Sequence, residues 1–436
     1  MAQSDGGFLS RWTLKTGPVG SGGVIAPDER LPMGQTIALG LQHVVAMFGA
    51  TVLAPLLMGF DPNVSILFSG ISTLIFFFVT GGKLPSYLGS SFSFIAVVIA
   101  ATAYSGSGPN ANIGVALGGI IACGAVYAII GLIVMKSGIG WIETLMPPVV
   151  TGAIVAVIGL NLAPIAVKGV SASGFDAFIG LFTVVAVGLV AVYTRGTVQR
   201  LPILLGGLAA YIVYAVLANG MGMGKPIDFS GVMNAAWIGL PNFTTPVFDA
   251  GAMALIAPVA IILVAENLGH VKAIGVMTGR NLDPLLGRAF LGDGIATMIS
   301  GAGGGAGMTT YAENMGVMAV TKIFSTLLFI VAAFFAILLG FSPKFGALIL
   351  TIPGPVLGGL ALVVFGLISA TAGRIWVENK VDFSNARNLI TVGVALTVGA
   401  GDLMLKFGGF SLGGIGTATF GAIILYQILN GRAANQ

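Results

Sequence analysis

Apolar stretches of bilayer length follow one another from residue 35 to residue 430. A helix needs about 20 such residues to cross a hydrocarbon core. In that core every backbone polar group must be paired inside the structure, so successive apolar runs leave helices as the spanning elements. The runs fall at 35–58, 62–81, 84–104, 112–135, 140–167, 177–194, 202–219, 251–271, 286–303, 306–320, 322–341, 346–372, 387–405 and 411–430. The expected fold is therefore an all-α polytopic membrane protein of 14 transmembrane segments. Only 8% of the residues are charged, against about 25% in a soluble domain.

An even number of spans puts both termini on one side. If the N-terminal side is the inner one, only Lys168, Lys225, Lys344 and Lys406 of the 19 basic residues fall outside. The positive-inside rule then makes both termini cytoplasmic, and residues 1–33 read as a cytoplasmic tail. The same asymmetry explains the pI of 9.2 without nucleic acid as a partner. The connection from Asn219 to Asp249 is external and too short to fold alone. The lone Cys123 excludes an intrachain disulfide and a cysteine metal cluster.

A weak repeat is present. Gln42 precedes Glu266 by the same offset as Tyr87 precedes Tyr311, and Pro148-Val149 resembles Pro355-Val356 at a shorter one. Seven spans is an odd number, so a second copy would be inverted. Inverted repeats with interrupted helices at matching positions mark secondary transporters. The interrupted pair would be segment 3, around YLGSSFSF (Tyr87 to Phe94), and segment 10, which follows GAGGGAG (Gly301 to Gly307). A run so rich in glycine does not sustain an ordinary helix.

Few residues in the spans can carry chemistry. Glu143 and Asp293 lie near predicted inner ends, beside Lys136 and Arg288, and read as interfacial or packing residues. Glu266 and Glu313 lie deeper, where an acid is costly and functional by default. Glu266 and His270 are four apart and share a helix face. They suit either a buried pair tying helices together or a substrate and proton site. The second acid, beside a broken helix, favours the site. His43 reads as a structural hydrogen-bonding residue. Phe92 suits packing or ring stacking equally. No HExxH metal motif occurs, and neither do the arginines of a voltage sensor. Ser90-Ser91 has no credible base, so the chain does not read as an enzyme, and no cofactor is expected.

Glu313-Asn314-Met315-Gly316 through Thr321-Lys322 resembles the signature of the nucleobase–ascorbate transporters, a branch of the nucleobase:cation symporters. Gln42-His43 and the segment AENLGH are similar to that family's motifs in segments 1 and 8. The likeness runs from about Asp28 to the C-terminus. Within the family, VIAPDERLP and AMFGATVLAPLLMGFDPN resemble bacterial pyrimidine permeases most, and uracil permeases less closely. The resemblance implies two inverted seven-segment repeats, with short strands in segments 3 and 10. It implies a core domain of 34–135 and 251–341 and a gate domain of 136–220 and 342–431, with 221–250 as external connection.

Carried over, Glu266 and Glu313 would hold the base, with His270 near Glu266 as proton-coupling partner. Phe92 would stack on the ring, backbone groups around Ser91, Tyr311 and Ala312 would complete the pocket, and Ala50 would line it. His43, Gln42 and Asn314 would be structural. Phe365 departs from the tyrosine of uracil permeases. The implied activity is proton-coupled import of uracil and thymine across the inner membrane by alternating access. A purine (xanthine or urate) permease is the alternative, and an anion transporter of the same architecture a remoter one. Lipid is the surrounding partner. The sequence decides neither a homodimer nor H⁺ against Na⁺, although no Na⁺ cage is apparent.

Overall fold

The computed structural model describes residues 12–15, 24–106, 108–196, 198–407 and 410–430. Most of the expected tail lies outside them. Its described parts form two short parallel strands, β1 (Thr13–Leu14) and β2 (Glu29–Arg30). The first membrane helices are α1 (Met33–Met58) and α2 (Pro62–Val79). Gly59 closes α1 in the left-handed conformation, φ +76°, where glycine carries no Cβ penalty. Asp61 then caps α2, its Oδ1 accepting from the Asn63 amide at 2.7 Å, with Pro62 at the first helical position.

Segment 3 is not a continuous helix. It consists of strand β3 (Leu88–Ser90), a 3-10 turn (Phe92–Phe94) and the half-helix α3 (Ile95–Thr102). Next come α4 (Ile113–Ser137), a short α5 (Gly140–Leu145), α6 (Pro148–Val170), α7 (Gly174–Tyr193) and α8 (Pro202–Ala215). The last of these runs on into a π-turn, Val216–Gly220. A small helix α9 (Ser230–Asn234) lies in the long connection. It is followed by α10 (Ala250–Ile256), α11 (Val259–Thr278) and α12 (Leu286–Ala302).

Segment 10 mirrors segment 3 in kind, with strand β4 (Met308–Thr310) and half-helix α13 (Ala312–Thr321). The chain closes with α14 (Leu327–Gly340), α15 (Pro343–Ile349), α16 (Gly354–Glu378), α17 (Ala386–Ala400), the hairpin β5 (Leu405–Phe407) and β6 (Phe410–Leu412), and α18 (Gly414–Asn430). Among the described residues, eight helical stretches are long and apolar enough to cross a membrane, with α8 and its π-turn counted as one and α10 and α11 as another.

Three expected continuous spans prove to be broken. The 140–167 run divides at Met146-Pro147, and the 251–271 run at Ala257-Pro258. The 346–372 run begins within α15, which meets α14 at a bend of 88°, and α16 starts only after Pro353. Each break precedes a helix that has proline at or next to its start, where the missing N–H costs nothing.

The helices pack in two groups. In one, α4 lies on α12 and α10, while α2 lies on α12 and α14, with α1 beside α14. In the other, α6 lies on α16, α17 and α18, and α7 on α8 and α16. Small residues set the closest approaches. A Cβ added to Gly124 of α4 would stand 2.7 Å from Gly294 O of α12.

Candidate functional site

Strands β3 and β4 pair antiparallel: Leu88 faces Thr310, Gly89 faces Thr309, and Ser90 faces Met308. A strand inside a membrane protein exposes backbone groups that must be satisfied, and two threonines serve this need. Thr73 Oγ1 of α2 accepts from Leu88 N at 2.9 Å, and Thr297 Oγ1 of α12 accepts from Met308 N at 3.1 Å. Both strands are buried. The crossing is therefore a fixed point from which α3 and α13 project.

Relative to the two strands, Leu88 matches Met308 as the first strand residue and Ser91 matches Tyr311 as the first residue after the strand. The Tyr87 and Tyr311 match noted in the sequence does not join equivalent positions: Tyr87 precedes its strand, and Tyr311 follows its own. The two tyrosines nevertheless brace the crossing together. Tyr311 N donates to Tyr87 O at 3.0 Å, and the Tyr311 hydroxyl donates to Ser90 O at 3.0 Å and accepts from Thr51 Oγ1 at 3.2 Å. Ser69 Oγ lies 2.8 Å from the Tyr87 hydroxyl.

The two deep acids converge here. Glu313 lies in the first turn of α13, where the helix dipole favours negative charge. Glu266, midway along α11, has Glu313 and Thr309 as polar neighbours. Its Oε2 is buried and has no hydrogen-bond partner among the described residues. A buried carboxylate oxygen left unpaired costs more than an ordinary lost hydrogen bond, so it marks a place where a donor from outside the chain is expected.

His270 does not pair with Glu266. Its Nδ1 lies 2.8 Å from Thr310 Oγ1, which ties α11 to the strand crossing. The Thr310 hydroxyl also donates to Asn267 Oδ1 at 3.4 Å. Asn267 Nδ2 donates in turn to Asp293 Oδ2 at 2.7 Å and to the Tyr127 hydroxyl at 3.0 Å. Asp293 is fully buried, and its Oδ1 has no partner among the described residues. Of the two expected readings of Asp293, interfacial or packing, the structure bears out packing. The side chain points into the bundle, where Asn267 and Tyr127 supply donors that the sequence pattern does not announce. An acid within an apolar run was the available signal.

Of the remaining expected residues, Phe92 reaches across to the second helix group. Its ring meets Phe365 of α16 edge-to-face, with centroids 5.9 Å apart and planes at 82°. Ala50 is buried in α1. Ser91 N is bonded to Gly307 O at 2.9 Å, and Ser91 Oγ accepts from Ser93 N at 3.2 Å. The Ser91 and Tyr311 amides thus hold the crossing, while Ala312, at the start of α13, is exposed. His43 and Asn314, the residue after Glu313, form one buried unit. Asn314 Nδ2 donates to His43 O and to His43 Nδ1, each at 3.0 Å, and the imidazole lies on Phe329. Gln42 Nε2 is buried without a partner among the described residues. No group of three or more His, Cys, Asp and Glu side chains that could hold a metal ion occurs among the described residues.

Two half-helices meeting at a buried strand crossing, with Glu313 at the tip of one and Glu266 on the neighbouring α11, define a multi-pass membrane transport protein. A model of the Permease family (Xan_ur_permease) matches residues 34–406, and the chain belongs to that family. It is 65% identical over 419 residues to the Escherichia coli (strain K12) protein named "Putative pyrimidine permease RutG", covering 96% of this chain and 95% of that one. It is 41% identical over 423 residues to the uracil permease of Paenibacillus larvae, covering 93% and 97%. These relatives are permeases, not enzymes. Among solved structures, the transmembrane domain of the cyanobacterial bicarbonate transporter BicA superposes with a TM-score of 0.61 at 19% identity, over 84% of this chain and 96% of that one. Murine Slc26a9, an anion transporter in the inward-facing state, gives 0.64 at 13%, over 92% and 68%. At such identities the likeness concerns the fold alone.

Proposed function

We propose that the protein is a proton-coupled symporter importing uracil and related pyrimidine bases, such as thymine, across the inner membrane by alternating access. One observation carries this reading: the half-buried Glu266 keeps one carboxylate oxygen, Oε2, buried and unpartnered, with Glu313 as its neighbour. A uracil ring offers two N–H donors and two carbonyl acceptors. Carboxylates accept from N–H groups, and the free amides of a helix first turn, here that of α13, donate to a carbonyl. Phe92 would cover one ring face. An edge left unpaired in such a site is strongly disfavoured, which supplies selectivity. The names of the pyrimidine and uracil permease relatives point to the same substrates.

The proposed architecture is two inverted repeats of seven segments. The symmetric strand pairing and the matching roles of Thr73 and Thr297 support it. The two helix groups correspond to a core domain (34–135 and 251–341) and a gate domain (136–220 and 342–431), joined outside by 221–250, with both termini cytoplasmic. Substrate would bind where Phe92 of the core meets Phe365 of the gate. Glu266 would carry the proton: taken up from outside, it readies the site, and its loss inside releases the base. His270, held by Thr310, would orient this end of α11.

The deciding experiment is uptake of labelled uracil by proteoliposomes under an imposed proton or sodium gradient. An inward proton gradient should drive accumulation and a sodium gradient should not. Sodium-driven uptake at uniform pH would overturn the coupling, and absence of uracil uptake under both would overturn the substrate.

A further inference from the structure

The segment before the first membrane helix is built into the inner ends of the two helices that carry the acids. Ile25 N donates to Lys322 O at 2.9 Å, and Phe324 N donates to Ile25 O at 2.8 Å. Residue 25 thereby adds a strand-like rung to the turn between α13 and α14. One step along, Pro27 O accepts from Thr326 N at 3.1 Å and from Thr326 Oγ1 at 3.0 Å. The same hydroxyl accepts from Trp12 Nε1 at 2.9 Å, and the Trp12 ring stacks on Phe77 of α2 at 5.8 Å. Asp28 forms an ion pair with Arg280 Nη2 at 2.6 Å, just past the glycine that closes α11. The strap is internally knit by Thr13 N to Asp28 O at 3.0 Å and by Lys15 to Glu29 at 3.1 Å. Beneath it Ile25, Leu31, Ile323 and Leu328 make an apolar nucleus separate from the main core.

These anchors fall on α2, on the turn after α11 and on the turn after α13. All belong to the helix group that holds the strand crossing, so the strap is a brace within one body and not a latch between two. The half-helix α13 needs such a brace. It has ten residues and ends at Lys322 with φ +58°. An L-residue disfavours that conformation and keeps it only where its surroundings hold it. Glu313 lies about 14 Å from that end and Glu266 about 20 Å from the end of α11. Rigid helices transmit a tilt at one end to the other, and a displacement of about 1 Å is enough to spoil a bound geometry.

We infer that residues 12–15 and 24–31 set the spacing of Glu266 and Glu313, with Thr326 and the Asp28–Arg280 pair as the positioning residues. The affinity part rests on the proposed uracil site; the mechanical part does not. The test compares the full-length protein in detergent with Thr326→Val, Thr326→Ser, Asp28→Arg and the swap Asp28→Arg with Arg280→Asp. Two quantities are read: amide exchange along the chain by mass spectrometry, and uracil affinity by calorimetry. Thr326→Val and Asp28→Arg should speed exchange in 312–321 while leaving α6 and α16 unchanged, and should weaken uracil several-fold. Thr326→Ser and the charge swap should restore both. Unchanged exchange in 312–321, or an equal rise in α6 and α16, overturns the brace. Faster exchange with parental uracil affinity overturns its effect on the site. If the parent itself binds no uracil, the proposed substrate fails, and the exchange data still decide the brace.

Discussion

At the scale of single residues, the proposed function gives Glu266 and Glu313 different tasks. Glu266 is enclosed by α11 and the strand crossing and keeps an unpartnered oxygen, whereas Glu313 sits at a helix start that stabilises its charge. Glu266→Gln keeps the shape but carries no exchangeable acid proton. It is expected to lose proton-driven accumulation of uracil while still exchanging labelled for unlabelled base. Undiminished accumulation with the parental pH dependence would remove Glu266 from coupling. Glu313→Ala removes a proposed ligand and should abolish binding, read by calorimetry. Asp293 has a different part. It is the acceptor for Asn267, beside Tyr127, so Asp293→Leu orphans a buried donor. That should cost about 1–3 kcal/mol and lower the Tm of the detergent-solubilised protein. Both deep glutamates were legible in the sequence, because an acid in an apolar run has few innocent explanations. The partners were not. Nothing local in the sequence says that His270 turns to Thr310 or that Tyr127 reaches Asn267, since residues far apart in the chain make those contacts.

At the scale of elements, the strand crossing is the decisive feature, and it depends on small residues. A Cβ at Gly89 would overlap the Tyr311 ring, and one at Gly307 would overlap the Phe94 ring. Gly89→Val should therefore part β3 from β4. Uracil binding should vanish, and the loss of packing should appear as a lower Tm; parental affinity would show that the crossing tolerates separation. The glycine run before β4 advertised this break in the sequence. Helix α12 nevertheless continues to Ala302, and the chain leaves the helix only at 303–307, where Gly304 takes φ +93°. The breaks at Met146-Pro147, at Ala257-Pro258 and before α16 were not legible from hydropathy. Both sides of each are apolar, so the proline was the sole sign. The pairing of Tyr87 with Tyr311 misled for a related reason. Equal offsets in a chain rich in glycine and alanine arise without structural equivalence.

At the scale of the molecule, the proposed alternating access requires contacts between the two helix groups that form in one state and part in the other. The short helix α5 is placed to report this. On one side Gln427 Nε2 of α18 donates to Thr144 O at 2.7 Å. On the other, Glu143 forms an ion pair with Lys272 of α11, two residues beyond His270. Both charged side chains are partly exposed, so the pair contributes little to stability, about 0–1 kcal/mol, and can open and close at small cost. Its value as a probe is that the proposed division puts α5 in the gate domain and α11 in the core domain. In a Cys123→Ala background, Glu143→Cys with Lys272→Cys can be joined by a short bis-thiol reagent with a reducible linker. The joined protein should still bind uracil, because the acids and Phe92 are untouched, but should lose uptake into proteoliposomes almost completely. Reduction should restore it. Full uptake by the joined protein would show that this contact does not part during the cycle, and the two groups would then have to move about some other junction than α5.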